Sequence, residues 1–194
     1  MRSTETRPWR LYAGWEVFLH NLPYILMICL GAALIWQWPG PWWAVAYLVY
    51  GAVGACWIML FVCPYCRFWG TRACPCGYGV LAERLRPKAS CEAFERQFRR
   101  HIPVIVPLWF IPLAAAAVLL WGGLDWSMVI LACCFCADAF LVLPLVSAHC
   151  GCKDCPQRQS CPWMSRLGAD KAMAVESQAT EALESMHRSS GRVV

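Results

Sequence analysis

The sequence predicts an all-α integral membrane protein with four transmembrane helices, arranged as two antiparallel hairpins, each followed by a cytoplasmic cysteine-rich metal-binding loop. Two observations carry this prediction. The 194 residues are 59% hydrophobic and only 15% charged, whereas soluble domains are about a quarter charged. The chain also contains 14 cysteines, a number that indicates disulfides or metal ligation. The same composition excludes intrinsic disorder, a nucleic-acid-binding domain and a fibrous rod.

Four apolar segments approach the length that a helix needs to cross roughly 30 Å of hydrocarbon. They cover residues 22–38, 42–62, 102–121 and 126–148. Short connections rich in Gly, Pro or Asp separate the first segment from the second and the third from the fourth. Because connections this short join neighbouring antiparallel helices, the pattern predicts two helical hairpins.

The spans divide the chain into six regions. We expect a cytoplasmic amphipathic amino-terminal segment at 1–21, the first hairpin at 22–62, a cysteine-rich loop with an amphipathic helix at 63–101, the second hairpin at 102–148, a second cysteine cluster at 149–167, and a helix with a disordered tail at 168–194. The two halves therefore repeat one organisation, in which a hairpin is followed by cysteines.

Positive charge is confined to one side of the predicted hairpins. All 17 Lys and Arg residues lie before the first span, in the middle loop or after the fourth span. Because cytoplasmic loops carry an excess of Lys and Arg, both termini and the middle loop are expected in the cytoplasm, with the protein in the inner membrane. Tryptophans near the two short turns predict an aromatic belt at the opposite interface: Trp36, Trp38, Trp42, Trp43, Trp121 and Trp126.

Eight cysteines form two compact sets, each beginning where a predicted span ends. The first set is Cys63, Cys66, Cys74 and Cys76, and the second is Cys150, Cys152, Cys155 and Cys161. Cytoplasmic thiols are kept reduced, so structural disulfides are not expected there, and unligated loop thiols are prone to oxidation. The two sets therefore predict two four-thiolate metal sites, with His149 and Cys91 as additional candidate ligands.

Four thiolates suit structural zinc and iron–sulfur clusters alike. Proline follows four of the cysteines, as it follows the last ligand of bacterial ferredoxin motifs: Cys63, Cys74, Cys155 and Cys161. The Cys152-x2-Cys155-x5-Cys161 spacing resembles the auxiliary-cluster segment of SPASM-type radical enzymes, which implies an iron–sulfur ligand set. Iron–sulfur, as two 4Fe–4S clusters, is favoured. Two zinc ions are the alternative, with His149 as a substitute ligand.

Three further resemblances imply other chemistry. The motif Cys63-Pro-Tyr-Cys66 is similar to the redox motif of glutaredoxins, but it follows a helix carboxy terminus, where the dipole disfavours a thiolate. Four spans with paired cysteines resemble the quinone-linked thiol oxidases of the DsbB and VKOR type, whose reactive cysteines lie on the non-cytoplasmic side, so this function requires inverted topology. The pair Cys133-Cys134 resembles the vicinal thiols of mercuric-ion importers, which implies soft-metal transport.

Ionisable and thiol side chains also occur within the spans. Asp138 is expected roughly 15 Å from the cytoplasmic end of the fourth span, where a carboxylate is costly and indicates a functional site. Cys134 lies one turn earlier on the same face. Two roles fit Asp138: a proton donor or acceptor for a quinone, or a protonated group bonded to a neighbouring helix. The other intramembrane cysteines are expected to pack as small apolar side chains: Cys29, Cys56, Cys133 and Cys136.

These features predict a membrane-anchored, metal-binding protein that relays electrons between a cytoplasmic redox partner and the quinone pool or a membrane enzyme. Such a chain is an electron-transfer subunit rather than a self-contained enzyme. Its partners are the lipid bilayer, a quinone and a soluble or membrane redox protein, with no nucleic acid. The alternatives are a zinc-stabilised scaffold or docking protein, a soft-metal transporter and a thiol oxidase. No family is identified from the whole chain.

Overall fold

The secondary structure is helical throughout the part of the chain that can be described. A computed structural model describes residues 10–123, 125–151, 155, 157 and 161–162, and no β-strand occurs among them. The α-helices are α1 (Gly14–Gln37), α2 (Pro41–Phe61), α3 (Tyr78–Leu85), α4 (Phe94–His101), α5 (Pro107–Gly122), α6 (Trp126–Ala137) and α7 (Leu143–Val146). The predicted helix and tail at 168–194 lie outside the described residues.

Four helical stretches are long and apolar enough to cross a membrane: Gly14–Gln37, Pro41–Tyr65, Cys91–Gly122 and Trp126–His149. The prediction of an all-helical protein with four candidate spans is therefore confirmed. The tryptophans of the predicted belt are all exposed, with Trp121 94% and Trp42 84% accessible. Large exposed apolar side chains of this kind are what a surface in contact with lipid requires.

Helix α1 begins at Gly14, about two turns before the predicted start of the first span at residue 22. The polar side chains in this first part of α1 have hydrogen-bond partners, which allows the helix to extend. The Glu16 carboxylate accepts a 2.9 Å hydrogen bond from the Ala13 amide and pairs with Arg10, as a capping residue does. Asn21 donates to the Val17 carbonyl at 2.7 Å and to the Cys76 carbonyl at 3.1 Å. Residues 14–21 therefore continue in the same helix as the first candidate span.

Helix α1 occupies the centre of the fold and contacts α2, α5 and α6. Gly31 permits the closest approach, because a Cβ atom there would lie 2.6 Å from Tyr47 Oη and 2.8 Å from Pro112 Cγ. Small residues bring membrane helices together in this way. The core that forms around α1 is apolar: Met27, Ala32, Leu34, Ile35, Ala44, Tyr47, Leu108, Ala115, Ala116, Phe135 and Ala139.

Two tyrosines of α2 donate hydrogen bonds to backbone carbonyls in and just before α5. Pro112 has no amide hydrogen to donate to the Leu108 carbonyl, and Tyr47 Oη donates to that carbonyl at 2.7 Å. Tyr50 Oη donates to the Val104 carbonyl in the 3₁₀ turn Ile102–Val104 that precedes α5. The third span was predicted over residues 102–121; its α-helix begins only at Pro107, because residues 102–104 form the 3₁₀ turn, which contains Pro103.

The fourth span contains two π-helical segments, Asp138–Val142 and Ser147–Gly151, which flank α7. The Leu143 amide donates to the Asp138 carbonyl instead of to that of Ala139. The next residue that could donate to the Ala139 carbonyl is at position 144, but Pro144 has no amide hydrogen. Trp109 Nε1 on α5 donates to it at 3.2 Å. Since π-helical turns often occur at functional sites, the position of Asp138 at the first residue of this segment is notable.

Candidate metal centre

The first cysteine set lies in a compact loop that continues from the carboxyl end of α2. A 3₁₀ turn covers Cys63–Tyr65, and the Cys66 amide donates to the Cys63 carbonyl at 3.0 Å. The loop folds back on α3 at Gly79, where a Cβ atom would lie 2.2 Å from the Phe68 carbonyl oxygen and 3.2 Å from Cys74 Cβ. Only glycine allows this approach, so it helps to hold Cys66 and Cys74 in one loop.

Cys91 lies beside this loop, although it is separated from it in sequence by α3. The Ala89 amide donates to the Pro64 carbonyl at 2.9 Å, and the 3₁₀ turn Cys91–Ala93 contacts the turn Cys63–Tyr65. The turn that contains Cys91 is therefore held beside the turn that contains Cys63 and Pro64.

Gln157 joins the segment after the fourth span to the same loop. Its side chain is only 5% exposed, and its Oε1 accepts a 3.1 Å hydrogen bond from the Arg67 amide. Its Nε2 donates to the Tyr65 carbonyl at 3.3 Å and, more weakly, to the Cys91 carbonyl at 3.5 Å. Gln157, which lies between Cys155 and Cys161 in the sequence, thus binds both the stretch 65–67 and the turn at Cys91. Sequence reasoning missed Gln157, because nothing in the motif distinguishes it from a solvent-exposed loop glutamine.

The thiols of both sets lie within electrostatic range of one another. Burial raises the pKa of Cys66 to about 12; a hydrogen bond from the Phe68 amide opposes this, and Cys74, Cys155 and Cys91 add to it. The pKa of Cys155 is raised chiefly by burial, with further contributions from Cys161 and Cys74 against an opposing Gln157 amide bond. Desolvation and like charge both disfavour a free thiolate. A cation at this place would remove that penalty.

The donor chemistry of this cluster fits a thiophilic metal, although the side chains are not arranged at ligand distance. Among the described residues, no group of three or more His, Cys, Asp or Glu side chains is placed to hold a metal ion. The twelve described cysteines form no disulfide. Cys152 and the Cys150 side chain lie outside the described residues, so the second predicted set is described only at Cys155 and Cys161.

One cysteine of the second predicted set lies close to the first set. Cys63 lies near Cys66, Cys74 and Cys76, as the spacing suggested. Cys155, which the sequence grouped with the second set, lies near Cys66 and Cys74. Grouping cysteines by sequence distance does not detect such contacts.

His149, the other additional candidate ligand, is exposed and bonded within its own helical segment. Its Nδ1 lies 3.1 Å from the Leu145 carbonyl oxygen, four residues earlier. This bond orients the ring, in the manner of metal-ligating histidines whose second nitrogen remains available. It does not bring the ring to the described thiols.

Asp138 is a second candidate site, within the fourth candidate span and not in a cysteine loop. The side chain is only 4% exposed, and neither carboxyl oxygen has a hydrogen-bond partner among the described residues. Its π-helical segment contacts α1. Cys134, predicted on the same face, is exposed and so does not share the environment of Asp138. Burying a carboxyl without a hydrogen-bond partner costs free energy, so its presence here indicates a functional role.

The remaining intramembrane cysteines do not all pack as expected. Only Cys136 packs against the core, while Cys29, Cys56 and Cys133 are exposed on the outer surface of the helices. Facing lipid suits these residues too, because a free thiol behaves as a small apolar group. None of the four adds to the thiol cluster described above.

The chain matches no family model, no curated protein sequence and no solved structure. Two features of its own residues therefore support a function. One is the group of thiols from separate segments at the carboxyl end of α2, and the other is the buried Asp138 carboxyl within the fourth span.

Proposed function

We propose that this protein is a membrane-anchored, cysteine-ligated metal protein that relays electrons between a cytoplasmic redox partner and the quinone pool or a membrane enzyme. The observation that carries the proposal is that hydrogen bonds of Ala89 and Gln157 bring the segments of Cys66, Cys91 and Cys155 together, with the thiols partly buried and within electrostatic range of one another. Partly buried thiols that form no disulfide suit a thiophilic metal. Iron–sulfur is the favoured occupant, and a cluster of this kind supplies one-electron transfer.

The cysteines of both sets would supply the ligands, and the loop would supply their surroundings. Cys66 is largely desolvated, and Gln157 closes the loop with hydrogen bonds to backbone groups rather than with charges. Burial and hydrogen bonding near the sulfurs are the means by which proteins set the potential of such centres. The chain itself would thus partly shield the donor atoms from water and keep their segments together.

Asp138 is proposed to handle a proton. Reduction of a quinone to a quinol consumes two electrons and two protons, so an electron relay to the quinone pool also needs a proton path. The buried carboxyl at the start of the π-helical segment has both oxygens unpaired among the described residues, which leaves it able to accept or donate. Carboxyls within membrane-spanning segments are rare and can mark proton relays.

The proposed membrane arrangement is two antiparallel hairpins with both termini and the cysteine loops in the cytoplasm. The contact of Tyr24 Oη with the Gly51 carbonyl at 3.1 Å supports an antiparallel first pair. The Arg86 guanidinium donates to the Leu60 carbonyl at 3.2 Å and lies 5.2 Å from the centre of the Phe61 ring, at the carboxyl end of α2. Arginines at such an interface, with eight cations in the loop, support a cytoplasmic position in the inner membrane.

Electron transfer to a quinone analogue tests this function. Protein purified without oxygen is reduced with dithionite and mixed with a short-chain quinone, and the optical spectrum is followed over time. We expect rapid reoxidation in the wild type and slower reoxidation in Asp138→Asn at unchanged metal content. Asp125→Asn, at the exposed carboxylate that caps α6, is the matched control and should react as the wild type does. A spectrum that does not change on reduction would contradict the proposal.

A zinc-stabilised membrane scaffold is the second candidate function. The observation that favours it is the hydrogen bonding of Gln157 to two separate segments, because structural zinc sites typically fasten loops in this way. In this case, purified protein would contain zinc without iron and would show no redox-dependent absorption.

A further inference from the structure

We infer that Cys66, Cys74, Cys91 and Cys155 form one shared metal site that joins the middle loop to the segment after the fourth span. The inference rests on the proposed metal binding and changes its ligand assignment. The sequence divides the cysteines into two separate sites, one in each loop. The structure instead assigns a ligand of the second loop to the site in the first.

Cys66 is the centre of this group. Three thiols act on it electrostatically, namely those of Cys74, Cys155 and Cys91. Cys155 in turn lies within range of Cys74 as well as of its sequence neighbour Cys161. Proximity of Cys155 to two cysteines of the first loop, with Gln157 two residues later bonded to the same loop, is not expected if each loop binds its own metal.

Hydrogen bonds to backbone groups hold the three contributing segments together without a metal. The Ala89 amide donates to the Pro64 carbonyl, which places the Cys91 turn beside the Cys66 loop. The buried Gln157 side chain then binds Arg67, Tyr65 and Cys91 through their backbone groups. The segments that carry the thiols are therefore held near one another before any metal binds.

Cys76, which the sequence places in the first set, faces a different part of the molecule. Its carbonyl accepts a hydrogen bond from Asn21 on α1, and its thiol acts on Cys63 and on Tyr78. The two assignments share Cys66 and Cys74 and differ in their other two ligands, which are Cys91 and Cys155 in the shared site and Cys63 and Cys76 in the site defined by sequence spacing. Cys63 also lies near Cys66 and Cys74, so Cys76 and Cys91 are the residues that distinguish the assignments.

Metal stoichiometry in single and double variants tests the shared site. The full chain in detergent is stripped with a chelator and titrated with Co²⁺, whose thiolate charge-transfer absorption reports bound cysteines. We expect Cys66→Ser and Cys155→Ser each to remove the same Co²⁺ ion, so that the double variant loses no more than either single variant. Two losses that add in the double variant, or no Co²⁺ binding by the wild type, would overturn the inference.

A matched pair of variants separates the two ligand assignments. Cys91→Ser should abolish binding at the shared site, whereas Cys76→Ser should retain it; the reverse result would overturn the inference. Cys56→Ser, on the exposed surface of α2, controls for general effects of removing a thiol. Helical content by circular dichroism verifies that each variant folds.

A second measurement does not depend on any variant. In the metal-free wild type, the thiol oxidant diamide takes two electrons and two protons from a pair of nearby thiols as a disulfide forms. Peptide mapping should find Cys155 linked to Cys66 or Cys74. Disulfides confined to partners within each sequence set would contradict the shared site.

Failure of this inference is distinguishable from failure of the electron relay. A native zinc content with non-additive variants would retain the shared site and reject the relay. Redox-active iron that is lost independently in Cys66→Ser and Cys155→Ser would retain the relay and reject the shared site.

Discussion

The side-chain oxygen of Gln157 accepts a 3.1 Å hydrogen bond from the Arg67 amide, 90 residues earlier in the chain. The same side chain donates to the carbonyl of Tyr65, so that both ends of the amide bind one short stretch of the middle loop. This contact joins the two cysteine-containing segments independently of any metal. It is also a relationship that can be removed by a single substitution of similar volume.

We expect Gln157→Leu to loosen the loop around Arg67. The substitution leaves the Arg67 amide without its acceptor, and leaving a buried polar group unpaired costs about 1–3 kcal/mol. Hydrogen exchange of the Arg67 amide should therefore be about fivefold to a hundredfold faster than in the wild type. Gln37→Leu, at an exposed glutamine that ends α1, is the control. Unchanged protection of Arg67 would show that the contact does not stabilise the loop.

Gly79→Ala should distort the cysteine loop. The added Cβ atom would lie 2.2 Å from the Phe68 carbonyl oxygen, a backbone atom that cannot move without the loop. We expect a destabilisation of about 1–3 kcal/mol and weaker Co²⁺ binding at the site that contains Cys66 and Cys74. Gly122→Ala is the matched control, since nothing lies within 4 Å of a Cβ atom at that position. Equal Co²⁺ affinity in the two variants would contradict this prediction.

A double-mutant cycle tests the bond between Tyr47 and Leu108. Tyr47→Phe leaves the Leu108 carbonyl without its donor and should lower the free energy of unfolding in mixed micelles by about 1–3 kcal/mol. Pro112→Ala restores an amide at position 112 that can donate to the same carbonyl. The cost of Tyr47→Phe should therefore fall in the Pro112→Ala background. The same cost in both backgrounds would mean that Tyr47 does not replace the donor that proline removes.

The buried Cys66 thiol should be unreactive in metal-free protein. Its pKa of about 12 against an ordinary value of 9.0 reduces the thiolate fraction at pH 8 by about a thousandfold, and the thiolate is the reactive form. Site-resolved alkylation with iodoacetamide should therefore be slow in the folded chain and fast in chain unfolded with detergent. Rapid alkylation in the folded chain would show that the thiol is not desolvated.

The same pKa predicts a pH dependence of stability. Because the folded-state value is raised, the stability linked to Cys66 is fully present below pH 9 and is lost as the pH rises from about 9 toward 12. Above pH 9 the unfolded chain releases the proton before the folded chain does. Cys66→Ser should flatten this part of the stability profile.

The sequence predicts the four candidate spans because length and hydropathy determine them locally. It does not predict the start of α1, since Glu16 and Asn21 are tolerated there only through bonds to the Ala13 amide and the Cys76 carbonyl. The π-helical segment at Asp138 is also missed. It depends on Pro144 and on a donor from Trp109, 30 residues away, neither of which alters the apolar pattern.

In the cysteine loops, too, local features can be predicted from the sequence and long-range contacts cannot. Their residues and their position after α2 and after the fourth span follow from spacing alone. The approach of Cys155 to Cys66 does not, because it depends on a buried Gln157 and on the turn at Cys91. Long-range polar contacts of this kind have no periodic signature in a sequence.

The metal and acid-labile sulfide content of protein purified without oxygen tests the central proposal most directly. We expect iron with a matching amount of sulfide, in multiples of about four per chain, together with loss of one such unit in Cys66→Ser. Zinc without iron would instead support the zinc-stabilised scaffold as the function of these cysteines. A chain free of metal that also fails to take up iron or zinc would contradict the proposal that these thiols bind metal.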